Sequence, residues 1–349
     1  MTSIQLKKQL PKIQLKAQLP KSTQTAYKVL DLFCGCGGLS QGLNQAGLNV
    51  VCGIDHWDRA IETYSQNQGH LALVKDLTQY SPTDFQNDTG IQSIDILVGG
   101  PPCQGFSHAG RRDCNDPRNS LFMEYIKYLD HFKPRAFIME NVPGILSMKT
   151  ATGEKCLDII MSQLTKNYHC QHFTLLASDY EVPQNRKRVI FIGLRNDLKS
   201  ATGSIEITPP PPVQVHPDQV AIKSILLPRQ QVPSSYYLSQ KAIDGINQRK
   251  SEMKAKGFGF GAQFVELDRP CYTISARYYK DGTDALIKYS DTEIRRLTEQ
   301  ELQLVQSFPV GYQFKGNKKE VCMQIGNAVA CRLAYHLGNN LIGLLNQYI

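Results

Sequence analysis

Residues 27–40 read Tyr27-Lys-Val-Leu-Asp-Leu-Phe-Cys-Gly-Cys-Gly-Gly-Leu-Ser40, a short β-type apolar run that passes through Asp31 into a glycine-rich turn and opens a helix. Glycines at such a turn let the backbone approach a ligand closely and aim helix N–H groups at it. A tight strand-to-helix turn needs glycine on steric grounds as well, so this stretch gains its weight from the motifs further along the chain. The spacing departs from the dinucleotide fingerprint Gly-x-Gly-x-x-Gly, because Leu39-Ser40 follows Gly38 directly.

Beyond this turn, apolar runs rich in Val, Ile and Leu alternate with amphipathic stretches, which predicts βα units around a mostly parallel sheet. The expected strands are residues 27–33, 49–55, 71–76, 94–99 and 135–140. Between the last two, Leu121, Phe122, Tyr125, Ile126 and Leu129 make one helical face that stops before Pro134. Residues 169–177 and 188–195 read as two more strands joined by a polar loop too short for a crossover helix, hence an antiparallel edge. The pattern changes near residue 200. Thr208 to Pro217 holds five prolines, and the stretch up to about Leu267 lacks apolar periodicity, which predicts a separate loop-rich domain. Helical periodicity returns at 298–307 and from about Ala328 to Leu345. The predicted fold is α/β, a doubly wound Rossmann-like domain with a smaller loop-rich one. The predicted boundaries are an arm at 1–26, the main domain at 27–199 and 319–349, and the second domain at 200–318.

The 349 residues are 41% hydrophobic and 20% charged, a globular composition that excludes wholesale disorder. No apolar run reaches bilayer length and the N-terminus shows no leader pattern, so a cytoplasmic protein is expected. The ten cysteines follow no disulfide framework and are expected to be reduced thiols. The formal charge is +8. Six lysines (Lys7, Lys8, Lys12, Lys16, Lys21 and Lys28) lie in the first thirty residues with no acid, so the remaining body carries little net charge. That arm repeats itself, IQLKKQLPK at 4–12 and IQLKAQLPK at 13–21, and Pro11 and Pro20 interrupt any helix. A solvated tail is the expected reading, and a phosphate-tracking arm the alternative.

The chemistry-bearing residues fall at predicted strand ends. Asp55 ends the second strand, with His56 and Trp57 behind it; a carboxylate there can hold ribose hydroxyls, and one of the two rings can stack on adenine. Asp76 ends the third and can meet the adenine amino group. Three ligand-type positions converging on one crevice indicate an adenosyl cofactor. The fourth strand ends in Gly99-Gly-Pro-Pro-Cys-Gln-Gly-Phe-Ser107, whose prolines fix the backbone that presents Cys103, a context that favours a nucleophile over a buried structural thiol. A zinc deaminase would need Pro-Cys-x-x-Cys, and Phe106 stands where its second cysteine belongs. His169, Cys170 and His172 lie close together without a second ligand pair, so no metal is expected. Glu140-Asn-Val142 ends the fifth strand, and Gln184-Asn-Arg-Lys-Arg188 precedes a later one.

In this order DLFCGCGGLS, GIDHW, GGPPCQGFS, ENV, QNRKR, RPCYTISARYY and QIGNAV resemble the cytosine-5 DNA methyltransferases over about residues 27–195 and 265–349. One departure is Asp55, where the family often has glutamate. The resemblance implies S-adenosyl-L-methionine as cofactor, with S-adenosyl-L-homocysteine as product. Its binding set would be Phe33, Cys34, Gly35, Gly37, Gly38, Asp55, His56, Trp57, Asp76, Leu77, Pro101 and Asn327.

It implies further that the Cys103 thiolate adds to C6 of a flipped cytosine. Glu140 would bind the N3 and amino edge, and Arg188, helped by Arg186, would stabilise charge at O2. Gln104, Ser107, Arg111 and Arg112 are the implied DNA contacts. Residues 200–318 become a target-recognition domain, and the implied partners are double-stranded DNA and a cognate restriction endonuclease, for a monomeric enzyme acting at the nucleoid. An RNA-directed enzyme of the same architecture would carry a shorter central segment. A catalytically silent DNA-binding relative would lack one of Cys103, Glu140, Arg186 or Arg188, all of which are present.

Overall fold

The computed structural model describes residues 27–102, 120–150, 153–198, 205–256, 262–280 and 284–348. The sheet has seven strands: β1 (Lys28–Leu32), β2 (Asn49–Asp55), β3 (Leu71–Val74), β4 (Ile96–Gly99), β5 (Ala136–Asn141), β6 (Tyr168–Leu176) and β7 (Lys187–Arg195). Their order is β3-β2-β1-β4-β5-β7-β6. β1 to β5 run parallel, while β7 is antiparallel to both β5 and β6. This is the doubly wound sheet with the antiparallel edge that the periodicity predicts. The order reverses between β1 and β4, so the turns after these two strands face one crevice.

Side chains alternate across the sheet and bury both faces. Val29, Val50, Val98, Ile138 and Ile190 meet α1 (Gly38–Gln45) and the C-terminal helix through Leu43, Leu337 and Leu341. Leu30, Leu32, Leu97, Phe137 and Phe191 face α3 (Pro82–Thr89), α4 (Ser120–Phe132) and α5 (Cys156–Leu164) through Phe85, Tyr125 and Ile160. α2 (Asp58–Asn67) lies between β2 and β3. Ser81 and Asp84 cap α3 reciprocally, Pro82 fits its first turn, and Gly90 ends it in the left-handed conformation.

The rest of the chain forms α6 (Pro217–Val220), α7 (Gln240–Ala255), the two-residue strands β8 (Ile287–Lys288) and β9 (Ile294–Arg295), α8 (Glu299–Val305), α9 (Lys318–Asn327) and α10 (Cys331–Gln347). Ile222, Cys271, Ile274, Ile287, Leu302 and Ile325 share a separate core, to which α9 contributes. Arg295 and Glu301 form a fully buried ion pair inside this lobe, 2.8 Å apart.

One strand end is corrected, and two helices lie where the apolar pattern marks none. β3 stops at Val74, so Asp76 sits two residues past the strand in a turn where Thr78 donates to it. A sixteen-residue helix, α7, occupies part of the stretch that lacks apolar periodicity. QIGN belongs to α9, which begins at an Asn317–Glu320 capping box. Among the described residues no helix is long and apolar enough to cross a membrane.

Candidate active site

The turn after β1 is held open by its own backbone. Phe33, Gly35 and Gly37 all have positive φ, and Gly37 at +92° is the N-cap of α1. A Cβ on Gly37 would lie 2.9 Å from the Tyr312 hydroxyl and from the Tyr64 ring, so only glycine fits. A Cβ on Gly35 would meet nothing within 4 Å, which marks the open side of the cradle. Asp55 joins this turn to the next: its Oδ2 accepts from Gly35 N at 2.9 Å and its Oδ1 from Trp57 N at 2.9 Å. His56 is exposed with Nδ1 3.3 Å from Asp55 Oδ1, and the hydrogen bond to Asp55 raises its pKa. Trp57 is half-buried at the start of α2. The exposed Asp76 is kept below the usual carboxylate range by the Thr78 hydroxyl, and Leu77 is buried in the core beneath.

Below this cradle Asp31 is fully buried. Ser40 Oγ donates to its Oδ2 at 2.6 Å, and a chain continues through the Tyr64 hydroxyl to His70 Nε2. Asp31 Oδ1 has no hydrogen-bond partner among the described residues. Burial raises the Asp31 carboxyl to about 7 and lowers His70 to about 4. Asn327, at the end of α9, is exposed. The segment after it packs on α1, since a Cβ on Gly38 would lie 2.2 Å from Val329 O.

The second half of the site lies at the ends of β4, β5 and β7. Glu140 Oε1 is 2.6 Å from Arg188 Nε, with side chains 13% and 11% exposed. Glu140 Oε2 stands 3.1 Å from where a Gly100 Cβ would be, so the carboxylate lies against the approach to Pro101 and Pro102. Asn141 Nδ2 donates to Pro101 O at 3.1 Å, fixing that approach. Cys103, Gln104, Ser107, Arg111 and Arg112 fall outside the described residues. The eight described cysteines all have thiol pKa values raised by burial, which disfavours the reactive thiolate at each.

Arg186 behaves differently from Arg188. It is buried, and its Nη1 and Nη2 donate to Ile274 O at 3.0 Å and Gly326 O at 2.9 Å. Gln306 and Tyr312 are functional candidates that the residue pattern alone does not single out, and Asn141 and Gln184 fall inside ENV and QNRKR without a role assigned to them there. Their partners are mostly backbone carbonyls, which carry no sequence signature.

A doubly wound sheet with a glycine cradle after β1 and an acid–guanidinium pair across β5 and β7 is the frame of a Rossmann-like nucleotide-binding domain. The chain belongs to the C-5 cytosine-specific DNA methylase family, whose model matches residues 27–343. It is 32% identical over 324 residues to the Type II methyltransferase M1.ScrFI of Lactococcus lactis subsp. cremoris, covering 92% of this chain and 79% of that one. To the Type II methyltransferase M.NlaX of Neisseria lactamica it is 33% identical over 310 residues, 87% of this chain and 92% of the relative. A 44% match to the Type II methyltransferase M.DdeI of Desulfomicrobium norvegicum covers 48% of this chain and 41% of that protein. Among solved structures, a putative DNA modification methyltransferase encoded within an E. coli prophage superposes with a TM-score of 0.71 at 22% identity, covering 92% of this chain and all of that one. The S. pombe Dnmt2 methyltransferase does so with a TM-score of 0.68 at 19% identity, over 92% and 99%. These two likenesses bear on the fold. The chain is a DNA cytosine-5 methyltransferase.

Proposed function

We propose that the protein flips a cytosine out of double-stranded DNA and methylates its C5 through a covalent Cys103–C6 adduct, using S-adenosyl-L-methionine. The observation that carries this reading is the Glu140–Arg188 pair, set against Gly100 at the end of the strand that leads to Cys103. The residues of the cradle fit the cofactor: a glycine turn with an open side, the Asp55 and Asp76 carboxylates for ribose and adenine edges, and Trp57 or His56 for stacking. Phe33, Cys34, Gly37, Gly38, Leu77, Pro101 and Asn327 complete the proposed set. The bound cofactor supplies an electrophilic methyl group.

Cytosine C5 is a poor nucleophile until C6 carries an added thiolate. Cys103 forms the bond to C6, and Glu140 hydrogen-bonds N3 and the exocyclic amine and supplies the N3 proton. Arg188, oriented by Glu140 and supported by Arg186, faces the charge at O2. After C5 has gained the methyl group, a water molecule takes the C5 proton, β-elimination restores the C5–C6 double bond and expels the Cys103 thiolate, and N3 returns its proton to Glu140. With eight thiols raised by burial, Cys103 and Cys114 are the remaining cysteines, and Cys103 follows the strand end beside Glu140.

Residues 27–199 and 319–349 are proposed to carry this chemistry and 200–318 to read the DNA sequence, with Gln104, Ser107, Arg111 and Arg112 against the duplex and 1–26 as a basic arm, of which 1–24 are dispensable for folding. A monomer working in the cytoplasm, paired with a restriction endonuclease for the same sequence, is the proposed setting.

A duplex carrying 5-fluorocytosine at the target tests the mechanism, because fluorine cannot leave as a proton does. The protein should remain attached to DNA through denaturing electrophoresis, in a cofactor-dependent manner, with the base on Cys103. Cys103→Ser should abolish trapping and turnover and keep DNA binding. Robust methylation by the Ser variant, or attachment at another cysteine, overturns the mechanism.

A further inference from the structure

Arg186 lies two residues before Arg188, yet its hydrogen bonds go to backbone carbonyls and not to Glu140. Its fork spans two backbone carbonyls from distant parts of the chain, Ile274 O in RPCYTISARYY and Gly326 O in QIGNAV. Those two segments touch: a Cβ on Gly326 would lie 2.4 Å from Ala276 N and 2.5 Å from Ser275 O. Gln184 closes the same joint, accepting from Ile274 N at 2.8 Å and donating to Gln306 Oε1 at 2.7 Å. Gln306 in turn donates to Ile325 O and Ala328 O, both at 2.8 Å, so it grips the backbone on either side of Asn327. Arg186, Gln184 and Gln306 are all buried. Burial weighs against the charge on Arg186, and the two carbonyls offset it.

We propose that Arg186 is a positioning residue whose guanidinium, with Gln184 and Gln306, sets the backbone around Asn327 and the 274–276 segment against the strand that carries Arg188. The joint couples the cofactor side of the site to the target-base side without touching either ligand. A buried guanidinium holding two carbonyls fixes their separation and direction, and lysine in its place would reach one carbonyl at a time. This inference rests on the reading that Asn327 closes the S-adenosyl-L-methionine site.

The full chain tests it through three measurements: cofactor Kd by calorimetry without DNA, single-turnover methylation at saturating cofactor and DNA, and thermal unfolding. Arg186→Lys is expected to raise the cofactor Kd about tenfold, the effect of one lost hydrogen bond from a charged donor. At saturation its methylation rate should fall by less than that factor. Arg188→Lys, the contrast, should lower the saturated rate and leave the DNA-free cofactor Kd unchanged. Two results for Arg186→Lys overturn the proposal: a lowered rate with unchanged Kd, which is the behaviour of a base contact, or a lowered unfolding temperature with unchanged Kd, which is that of simple packing. If Arg186→Lys does not fold, Gln306→Met decides, because it removes the bonds to Ile325 O and Ala328 O and leaves Arg186 in place. An unchanged cofactor Kd there is equally fatal, and the expected rise in Kd supports the joint. Failure of the unsubstituted chain to bind S-adenosyl-L-methionine at all would defeat the cofactor reading instead.

Discussion

The Tyr312 hydroxyl donates to the carbonyl oxygen of Cys36 at 2.5 Å, joining residues 276 positions apart in the chain. The same hydroxyl accepts from Gln68 Nε2 at 3.2 Å, and Asn67 bonds both the N–H and the carbonyl of Gln313. The segment after α8 therefore straps the glycine turn to α2. Tyr312→Phe leaves the Cys36 carbonyl without this donor, and should destabilise the protein by about 1–2 kcal/mol. Urea unfolding checks this, and an unaltered midpoint means that the strap does not brace the turn.

Gly37 is the second half of the same contact. Alanine there would adopt φ +92°, a backbone cost of about 1–2 kcal/mol, with its Cβ 2.9 Å from the Tyr312 hydroxyl. Gly37→Ala should lower stability by more than the backbone figure and weaken S-adenosyl-L-methionine binding. Because part of the cost is a clash with the hydroxyl, Gly37→Ala should cost less in the Tyr312→Phe background than alone. Strict additivity in the double-mutant cycle would remove the clash from the explanation.

The Glu140–Arg188 pair is nearly buried, so neutralising one partner leaves the other charge poorly compensated. Glu140→Gln should lower single-turnover methylation by about 10²–10⁴-fold. It should lower stability by about 1–3 kcal/mol. DNA affinity, set mainly by phosphate contacts, should hold within a few-fold. A collapse of DNA binding with the chemical step intact would place Glu140 in the wrong role.

The sheet is legible in the sequence because buried parallel strands stand out as apolar runs, and the antiparallel pair because the polar loop before QNRKR leaves no room for a crossover helix. The place of Asp76 is not legible, because turn chemistry decides it: Lys75 N donates to Asp55 O and Thr78 donates to Asp76. Two helices escape the apolar pattern for different reasons. α7 buries Ile243 and Ile246 within an otherwise polar sequence, and α9 announces itself through its Asn317 cap rather than through periodicity. Asp55, Glu140 and Arg188 can be chosen from residue type and order. The joint at Arg186 cannot, because guanidinium and amide groups meet carbonyls 88 and 140 residues away, and a carbonyl has no residue identity.

Asp31 gives the pH dependence a definite sign. Burial holds its carboxyl at about 7 in the folded protein against an ordinary 3.8, outweighing the Ser40 hydrogen bond that favours the carboxylate. The folded state therefore keeps a proton that the unfolded chain releases between about pH 4 and pH 7. Stability from this group is full below pH 4 and falls across that window, with a slope of at most about 1.4 kcal/mol per pH unit. The chain beyond it responds in step. With Asp31 ionised, His70, Tyr64 and Ser40 can each donate inward toward the carboxylate; with Asp31 protonated, the donors can reverse and leave His70 Nε2 as acceptor. Asp31→Asn should make the slope between pH 4 and 7 more positive, by at most about 1.4 kcal/mol per pH unit, since an amide does not titrate; the opposing rise from His70, held at about 4 by burial, then stands uncompensated. Urea unfolding across that range, with nitrogen NMR of His70 to follow its tautomer, checks both parts. If the pH slope of Asp31→Asn equals that of the unsubstituted chain, the buried titration belongs to another group.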